Sequence, residues 1–285
     1  MIRQSSATDP MPKRGDRDGP GETRIKAIQA RLGQLSLNDG PASGVFDTSM
    51  ATALRRFQWY LVNRPWRLHV GPGATPSVGL IEAYTPGAIG ITGAYDQATA
   101  DALQAWADGG YLPTTSLVRL NLTRLTHCER AATYTQLNYP GAQPNEVLVN
   151  EAFVGGMVAI DKAAGDTKVT MRINQTFRVA GIAPRGAVVP PATKSQHLIG
   201  HAVDGNFIDG KAVATAALIK AGKESKPVDD FIAAVKAAGL RWGGDFKTKD
   251  PIHFDDPLAS ESEDYAMHYF FCQRSYQNQH PMRAA

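Results

Sequence analysis

The sequence predicts two folded regions of different class, an all-α domain followed by an α+β domain. In the first third, apolar residues such as Ile25, Ile28 and Leu32 recur at spacings of three and four, which is typical of amphipathic helices. In the second half, helical stretches are interrupted by short runs rich in β-branched residues, such as 168–173 and 202–208. Helices combined with a small sheet in this order favour an α+β domain.

Composition excludes several classes of protein. Hydrophobic residues at 43% and charged residues at 20% are ordinary for a globular protein. A net charge of +3 is too small to indicate a nucleic-acid partner. No apolar run approaches the roughly 18 residues that span a bilayer, and residues 1–10 contain no apolar segment. We therefore predict synthesis in the cytoplasm without a signal peptide, no membrane insertion and free, buried thiols at Cys128 and Cys272.

Local patterns divide the chain into four parts. Residues 1–22, rich in Pro and Gly, are expected to be a flexible tail. A helical domain follows over 23–112, with Thr23 as the candidate N-cap of its first helix and a second helix beginning near Asp47. Residues 113–130 are interpreted as a linker. In the remaining domain, 131–285, we expect helices over 147–164 and 228–238, the latter ending at Gly239.

An internal repeat lies within the helical domain. Residues 44–57 align with residues 93–106 and share Gly, an aromatic residue, Asp, Ala, Leu and a second aromatic residue at equal offsets. The Gly suits a turn, the Asp suits a helix N-cap and the remaining positions form a buried face. The upstream half of the second copy is poorly preserved, so the pattern is compatible with one module or with two degenerate repeats.

The helical pattern resembles the small peptidoglycan-binding module of cell-wall hydrolases. The matching segments are Ile-Gln-Ala-Arg-Leu at 28–32, Gly-x-Phe-Asp at 44–47 and Ala-Leu-x-x-Phe-Gln at 53–58. The alternative is an ordinary helical hairpin that is repeated for packing. The resemblance implies that bacterial peptidoglycan is a partner of this domain.

Two short segments of the second domain carry the residues of a metal site. His197 and Asp204 flank a bend that contains a Gly, and His253 follows Asp250 at a spacing of three. Catalytic zinc takes three protein ligands from His and carboxylate side chains, and His197, Asp204 and His253 supply that set. Asp250 would then move a proton, and Arg178 is the candidate to stabilise a developing oxyanion.

The same segments resemble the zinc peptidases of the D-Ala-D-Ala carboxypeptidase and L-alanyl-D-glutamate endopeptidase family. The motifs are Ser-x-His-x-x-Gly-x-Ala-x-Asp at 195–204, Trp-Gly-Gly-Asp at 242–245 and Asp-x-x-His at 250–253. The resemblance implies a D,D-peptidase-like (Hedgehog-like) fold with a small antiparallel sheet and helices. It also implies Zn²⁺ as cofactor, Asp250 as the base and Arg178 as the transition-state stabiliser. Arg172 and Arg185 are alternatives to Arg178, because the sequence after Arg178 departs from the family pattern.

Further residues near these motifs are candidates for supporting roles. Trp242 is either core packing or a wall of the substrate cleft. Ser195 is a candidate for substrate binding or for a hydrogen bond within the turn. Asp245 is expected to orient a ligating histidine. Gly243 and Gly244 are expected to allow a close approach of the backbone to the cleft. His201 occupies a variable position of the motif and is expected to point away.

Together these features predict a monomeric zinc peptidase that cuts the stem peptide of peptidoglycan. The Trp-Gly-Gly-Asp and Asp-x-x-His segments are most similar to the phage endolysin branch, which favours the bond between L-Ala and D-Glu. A D-Ala-D-Ala carboxypeptidase or D,D-endopeptidase is the alternative, and a peptidoglycan-binding protein without catalysis is a further one. Without a signal peptide, the protein would reach the wall through a holin or another delivery system.

Overall fold

The chain forms two compact units in a computed structural model that describes residues 10–63, 89–109, 113, 117–134, 143–182, 194–277 and 282–283. Pro113 belongs to the first unit, and the described chain from Leu117 onward belongs to the second. The first unit is helical and the second combines helices with small sheets, which confirms the predicted fold class. Among the described residues, no helix combines the length and the apolar character needed to cross a bilayer.

The first unit contains three described helices, each with one buried apolar side. They are α1 (Arg24–Gln34), α2 (Thr48–Asn63) and α3 (Gln97–Gly109). The predicted aspartate caps are present, because the carboxylate of Asp47 accepts from the Met50 amide at 2.9 Å and that of Asp96 accepts from the Thr99 amide at 2.8 Å. The ring of Trp106 packs edge-on against Phe57 and closes the core between α2 and α3.

The internal repeat is built around a shared helix. The side-chain oxygen of Gln29 in α1 accepts a hydrogen bond of 2.9 Å from the amide of Gly44, in the turn before α2. The side-chain oxygen of Gln58 in α2 accepts one of 2.7 Å from the amide of Gly93, in the turn before α3. Helix α2 is thus the second helix of the first copy and the first helix of the second, so the described copies form one helical unit. The upstream part of the second copy, 64–88, lies outside the described residues.

Residues 10–22 are packed onto α1 and α2, which corrects the expectation of a flexible tail there. The carboxylate of Asp18 accepts hydrogen bonds from the amides of Ile25 at 2.8 Å and Lys26 at 3.0 Å. Asp18 therefore caps α1, whereas the side chain of Thr23 makes no capping bond. The amide of Phe46 also donates to the carbonyl of Asp16. Residues 10–22 have little apolar surface to bury. They are held instead by the charge of Asp18 at the N-terminus of α1 and by backbone hydrogen bonds such as the one from Phe46 to Asp16. Residues 1–9 lie outside the described part.

The second unit contains two sheets and four helices in its described part. The strands are β1 (Leu117–Asn121), β2 (Cys128–Arg130), β3 (Glu146–Asn150), β4 (Thr170–Gln175), β5 (Ala202–Asp209), β6 (Ala212–Ala214), β7 (Arg241–Trp242), β8 (His253–Asp255) and β9 (Met282–Arg283). A six-stranded sheet has the order β2-β4-β5-β8-β7 with β6 paired to β5, and a smaller sheet has the order β3-β1-β9. The helices are α4 (Val154–Thr167), α5 (Ala216–Lys220), α6 (Lys226–Ala237) and α7 (Glu263–Gln277).

Two sequence expectations are wrong in this unit. The segment 113–130 is not a linker, because β1 and β2 lie within it and pair with β3 and β4. The helix expected over 147–164 begins only at Val154, since its first residues belong to the fully buried strand β3 (Glu146–Asn150). A buried strand is apolar on both faces and is easily mistaken for a helix. The strands expected over 168–173 and 202–208 and the helix expected over 228–238 are present to within two residues at either end.

The core of the second unit lies between the larger sheet and helices α4 and α6. The aromatic rings of Phe207, Phe231 and Phe254 meet there with centroids 5.1 to 5.9 Å apart. Among the described residues neither Cys128 nor Cys272 forms a disulfide, and both side chains are buried, as predicted. Because strand side chains alternate between the two faces, the face opposite this core remains available for a site.

Candidate active site

The register between β5 and β8 places two of the candidate ligands side by side. Val203 pairs with Phe254, and both side chains are buried in the core. Asp204 pairs with His253 one position further, so their side chains project from the opposite face. The alternation of apolar and polar residues along both strands therefore places the carboxylate of Asp204 beside the imidazole of His253.

His197 reaches the same point from a single 3-10 turn over Gln196–Ile199. The hydroxyl of Ser195 caps this turn and accepts from the amide of His197 at 3.3 Å. Gly200 ends the turn at φ +73°, and a Cβ there would lie 2.5 Å from the amide nitrogen of Asn150. Only glycine combines this backbone conformation with so close a neighbour, and the chain then enters β5.

The three predicted ligands converge on one point. Nε2 of His197 lies 3.2 Å from Oδ1 of Asp204 and 3.2 Å from Nδ1 of His253. Nδ1 of His253 lies 2.9 Å from the same carboxylate oxygen. Among the described residues these form the one group of three or more potential ligand side chains whose donor atoms lie this close together. Two imidazoles and one carboxylate are the donor set of a catalytic zinc site, so the residues fit the ion that the resemblance implies.

The electrostatics of the cluster favour a cation. Burial opposes the charged form of Asp204, but the neighbouring His197 and His253 outweigh it and hold the pKa of this carboxyl well below its usual range. Burial likewise opposes a charged His253, yet hydrogen bonds to Asp204 and Asp255 raise its pKa to about 10. The site thus attracts positive charge, and a metal ion would compete with the proton for it.

Outer partners orient both imidazoles. Nδ1 of His197 bonds to the carbonyl of Thr176 at 2.5 Å, which leaves Nε2 for a ligand. Nε2 of His253 lies 3.1 Å from the carboxylate of Asp255, which leaves Nδ1. Nε and Nη2 of Arg241 in turn donate hydrogen bonds to the two carboxylate oxygens of Asp255, at 2.8 and 2.7 Å. Each histidine is therefore restricted to one ring orientation.

The assignment of Asp245 as the residue that orients a ligating histidine is wrong. The carboxylate of Asp245 is exposed and pairs with Lys236 at 2.6 Å. The carboxylate that contacts Nε2 of His253 belongs to Asp255 instead, a residue that the sequence interpretation did not identify. A usable signal was present, because Asp255 follows His253 by two positions and shares its face if the segment is a strand.

Comparison with known families agrees with this geometry. Residues 190–256 match the D-alanyl-D-alanine carboxypeptidase family. Residues 21–61 match a peptidoglycan binding domain family. The two matches confirm both predicted resemblances and support a peptidase that acts on peptidoglycan. No curated protein matches the chain significantly.

Asp250 lies at the start of the loop that leads to His253. Its amide donates to the carbonyl of Gly243 at 2.8 Å, and a Cβ on Gly243 would lie 2.2 Å from the Asp250 carbonyl. This close contact leaves no room for a side chain at position 243. Burial and the charge of Asp204 raise the pKa of the Asp250 carboxyl. A carboxyl with a raised pKa is suited to accept and return a proton near neutral pH.

Arg178 lies directly beside the His197 turn. Its amide donates to the carbonyl of His197 at 2.8 Å, and its side chain is buried. Burial lowers the pKa of its guanidinium, while the charge of Asp204 acts in the opposite direction. The alternative Arg172 forms an ion pair with Glu129 on the exposed surface of β2 and β4. Arg185 lies outside the described residues.

The remaining candidates support the loops around the site. The indole nitrogen of Trp242 donates to the carbonyl of Pro251 at 2.9 Å and so braces the loop before His253. Ser195 acts as the helix cap described above. His201 lies outside the donor cluster, with its ring beside Phe153 and His268.

Proposed function

We propose that this protein is a zinc-dependent peptidase that hydrolyses the stem peptide of bacterial peptidoglycan. The observation that carries the proposal is the convergence of Nε2 of His197, Oδ1 of Asp204 and Nδ1 of His253 on one point. All three come from one chain, so we propose that a monomer is active. When bound, zinc supplies Lewis-acid chemistry, which polarises the scissile carbonyl and lowers the pKa of a water molecule toward about 7.

The residues around the metal ligands divide the rest of the reaction between them. Asp250 takes the proton of the attacking water and delivers it to the amine nitrogen as the C–N bond breaks. The guanidinium of Arg178 stabilises the negative charge that develops on the carbonyl oxygen. Thr176, Asp255 and Arg241 hold the imidazoles in the orientation that these steps require.

For the bond, we propose L-Ala–D-Glu, on the similarity of residues 242–253 to phage endolysins, which reach the wall through a holin. The alternative is the D-Ala–D-Ala bond, which the description of the family matched by residues 190–256 favours. The two differ in their products, since the first creates a new N-terminal D-Glu and the second releases D-Ala.

Digestion of purified peptidoglycan tests the reaction and the bond together. Wild type and His197→Ala are compared with and without a chelator, and new termini are identified by mass spectrometry. His127→Ala is the matched control, because His127 is a histidine outside the donor cluster. We expect cleavage by wild type and the control only, with loss of cleavage on chelation. Cleavage that survives chelation would rule out zinc, and an absence of new termini would favour the non-catalytic alternative.

We further propose that the helical unit holds the enzyme on its insoluble substrate, because residues 21–61 match a peptidoglycan binding domain. Tethering raises the local concentration of substrate. The inactive His197→Ala protein should therefore sediment with insoluble sacculi. If the protein stays in the supernatant, the proposed anchoring role is wrong, whereas the peptidase proposal is unaffected.

A further inference from the structure

Helix α7 carries a buried glutamine that bonds to two of the chain segments that bear proposed site residues, the Arg178 segment and the His197 turn. The side-chain nitrogen of Gln273 donates to the carbonyls of Arg178 at 2.9 Å and Leu198 at 2.8 Å. Its side-chain oxygen accepts from the amide of Ala180 at 2.9 Å. Both amide hydrogens and the oxygen are thus engaged, and the partners leave one orientation of the amide.

These contacts lie next to the groups that the reaction needs. Leu198 follows the ligand His197 within the 3-10 turn, and the Gln273 bond to Leu198 spans 75 positions of sequence. Arg178 is the proposed oxyanion stabiliser, and its amide also donates to the carbonyl of His197. One side chain therefore joins the metal-binding turn to the segment that follows β4.

The burial of Gln273 makes its hydrogen bonds costly to break. Only 6% of the residue is exposed, so breaking its bonds would leave polar groups without access to water. Other residues hold the same turn, since the side-chain nitrogen of Asn150 donates to the carbonyl of Ile199 at 3.0 Å and the hydroxyl of Tyr265 donates to that of Ser195. Only Gln273, among these, also bonds to Arg178.

We propose that Gln273 is a positioning residue that holds the Arg178 segment and the His197 turn at a fixed separation. Helix α7 therefore contributes to the geometry of the active site. This inference rests on the proposed function. It extends the site beyond the segment that matches the peptidase family, which ends at residue 256, whereas α7 spans Glu263–Gln277.

The test compares Gln273→Met with Gln277→Met in the full-length protein. Methionine keeps much of the glutamine volume and removes the hydrogen bonds, while Gln277 is an exposed glutamine of the same helix. For Gln273→Met we expect kcat on soluble stem-peptide fragments to fall about 10–100-fold with KM changed less than about twofold, and zinc affinity to fall about tenfold. Gln277→Met should match the wild type in each measurement.

A double-mutant cycle with Arg178→Ala separates positioning from general destabilisation. If Gln273 acts through Arg178, Gln273→Met should lower kcat far less in the Arg178→Ala protein than in the wild type. Equal losses in both backgrounds, accompanied by a matching fall in the thermal midpoint, would overturn the inference.

Hydrogen exchange provides a readout that is independent of catalysis. In the metal-free protein, peptides covering 176–182 and 195–200 should exchange faster in Gln273→Met than in Gln277→Met. Unchanged exchange together with unchanged kcat would refute the positioning role. If the wild type neither binds zinc nor cleaves, the proposed function fails, whereas the exchange comparison still decides whether Gln273 joins the two segments.

Discussion

Asp255 shows how a single side chain connects the surface to the proposed metal ligands. It is almost completely buried, yet its carboxylate accepts hydrogen bonds from the ring of His253 and from Nε and Nη2 of Arg241. Burial alone would raise its pKa, but these hydrogen bonds and charges lower it, so the carboxylate stays ionised. An ionised partner raises the basicity of His253 and hence its strength as a ligand.

Asp255→Asn should weaken zinc binding by about 10–100-fold, because the neutral amide no longer supports the basicity of His253. Competition with a metal-sensitive chelator measures this affinity. The matched control is Asp245→Asn, since Asp245 carries the same group in an exposed pair with Lys236. Equal affinities for the two variants would contradict the role assigned to Asp255.

Glu151 predicts a pH dependence of stability that is independent of the active site. Its carboxyl is fully buried, and neither oxygen has a hydrogen-bond partner among the described residues. Burial raises its pKa to about 9, so the folded protein holds a proton that the unfolded chain releases near its usual pKa of about 4.3. This contribution to stability is complete below the unfolded pKa and is lost as the pH rises toward 9.

Glu151→Gln removes this titration. The thermal midpoint of the variant relative to the wild type should therefore increase steadily between pH 5 and pH 8.5. The control is Glu129→Gln, because Glu129 is exposed. The difference between its thermal midpoint and that of the wild type should stay nearly constant over this pH range. A Glu151→Gln difference that does not vary with pH would show that the carboxyl is ionised in the folded protein.

At the scale of elements, the site depends on short segments that bring distant residues together. The 3-10 turn before β5 carries His197, and the loop from Gly243 to His253 connects β7 with β8. Alternation along the strands predicted β4 and β5 well. It failed for β3 because this strand is buried on both sides and its sequence shows no alternation.

Gly243→Ala should lower activity by at least about tenfold, since a displacement near 1 Å has costs of this order or larger. The added methyl would lie 2.2 Å from the Asp250 carbonyl and 2.9 Å from the Cβ of His253, so the loop must move. Gly155→Ala in α4 is the control, as its Cβ would meet nothing within 4 Å. The initial rate on soluble fragments and the thermal midpoint are measured for both. Full activity of Gly243→Ala would show that the loop position is unimportant.

At the scale of the whole molecule, each unit has its own buried core. The helical unit packs around Trp106 and the second unit around Phe207 and its neighbours. The proposed zinc ligands belong entirely to the second unit. A ligand stabilises only the folded unit that binds it.

Calorimetry of the full chain should therefore show two thermal transitions, of which zinc raises one. Tenfold higher free zinc above saturation adds about 1.4 kcal/mol to the stability of the binding unit. In His197→Ala this dependence should disappear while the other transition is unchanged. A single transition that zinc shifts as a whole would show that the two units unfold together.

What the sequence by itself determined are the features that depend on near neighbours. The aspartate caps of α2 and α3, the alternation along β5 and the two short motifs that contain His197 with Asp204 and Asp250 with His253 all depend on residues that are near one another in the chain. The physical reason is that backbone periodicity places such neighbours whatever the remainder of the chain does.

Only the tertiary structure decided which distant polar groups meet. Asp18 caps α1 from outside the helix, and Gln273 joins Leu198 to Arg178. A buried donor or acceptor is usually paired, because leaving it unpaired costs about 1–3 kcal/mol. The identity of that partner depends on which segments fold against each other. The spacing of residues along the chain does not predict which segments these are.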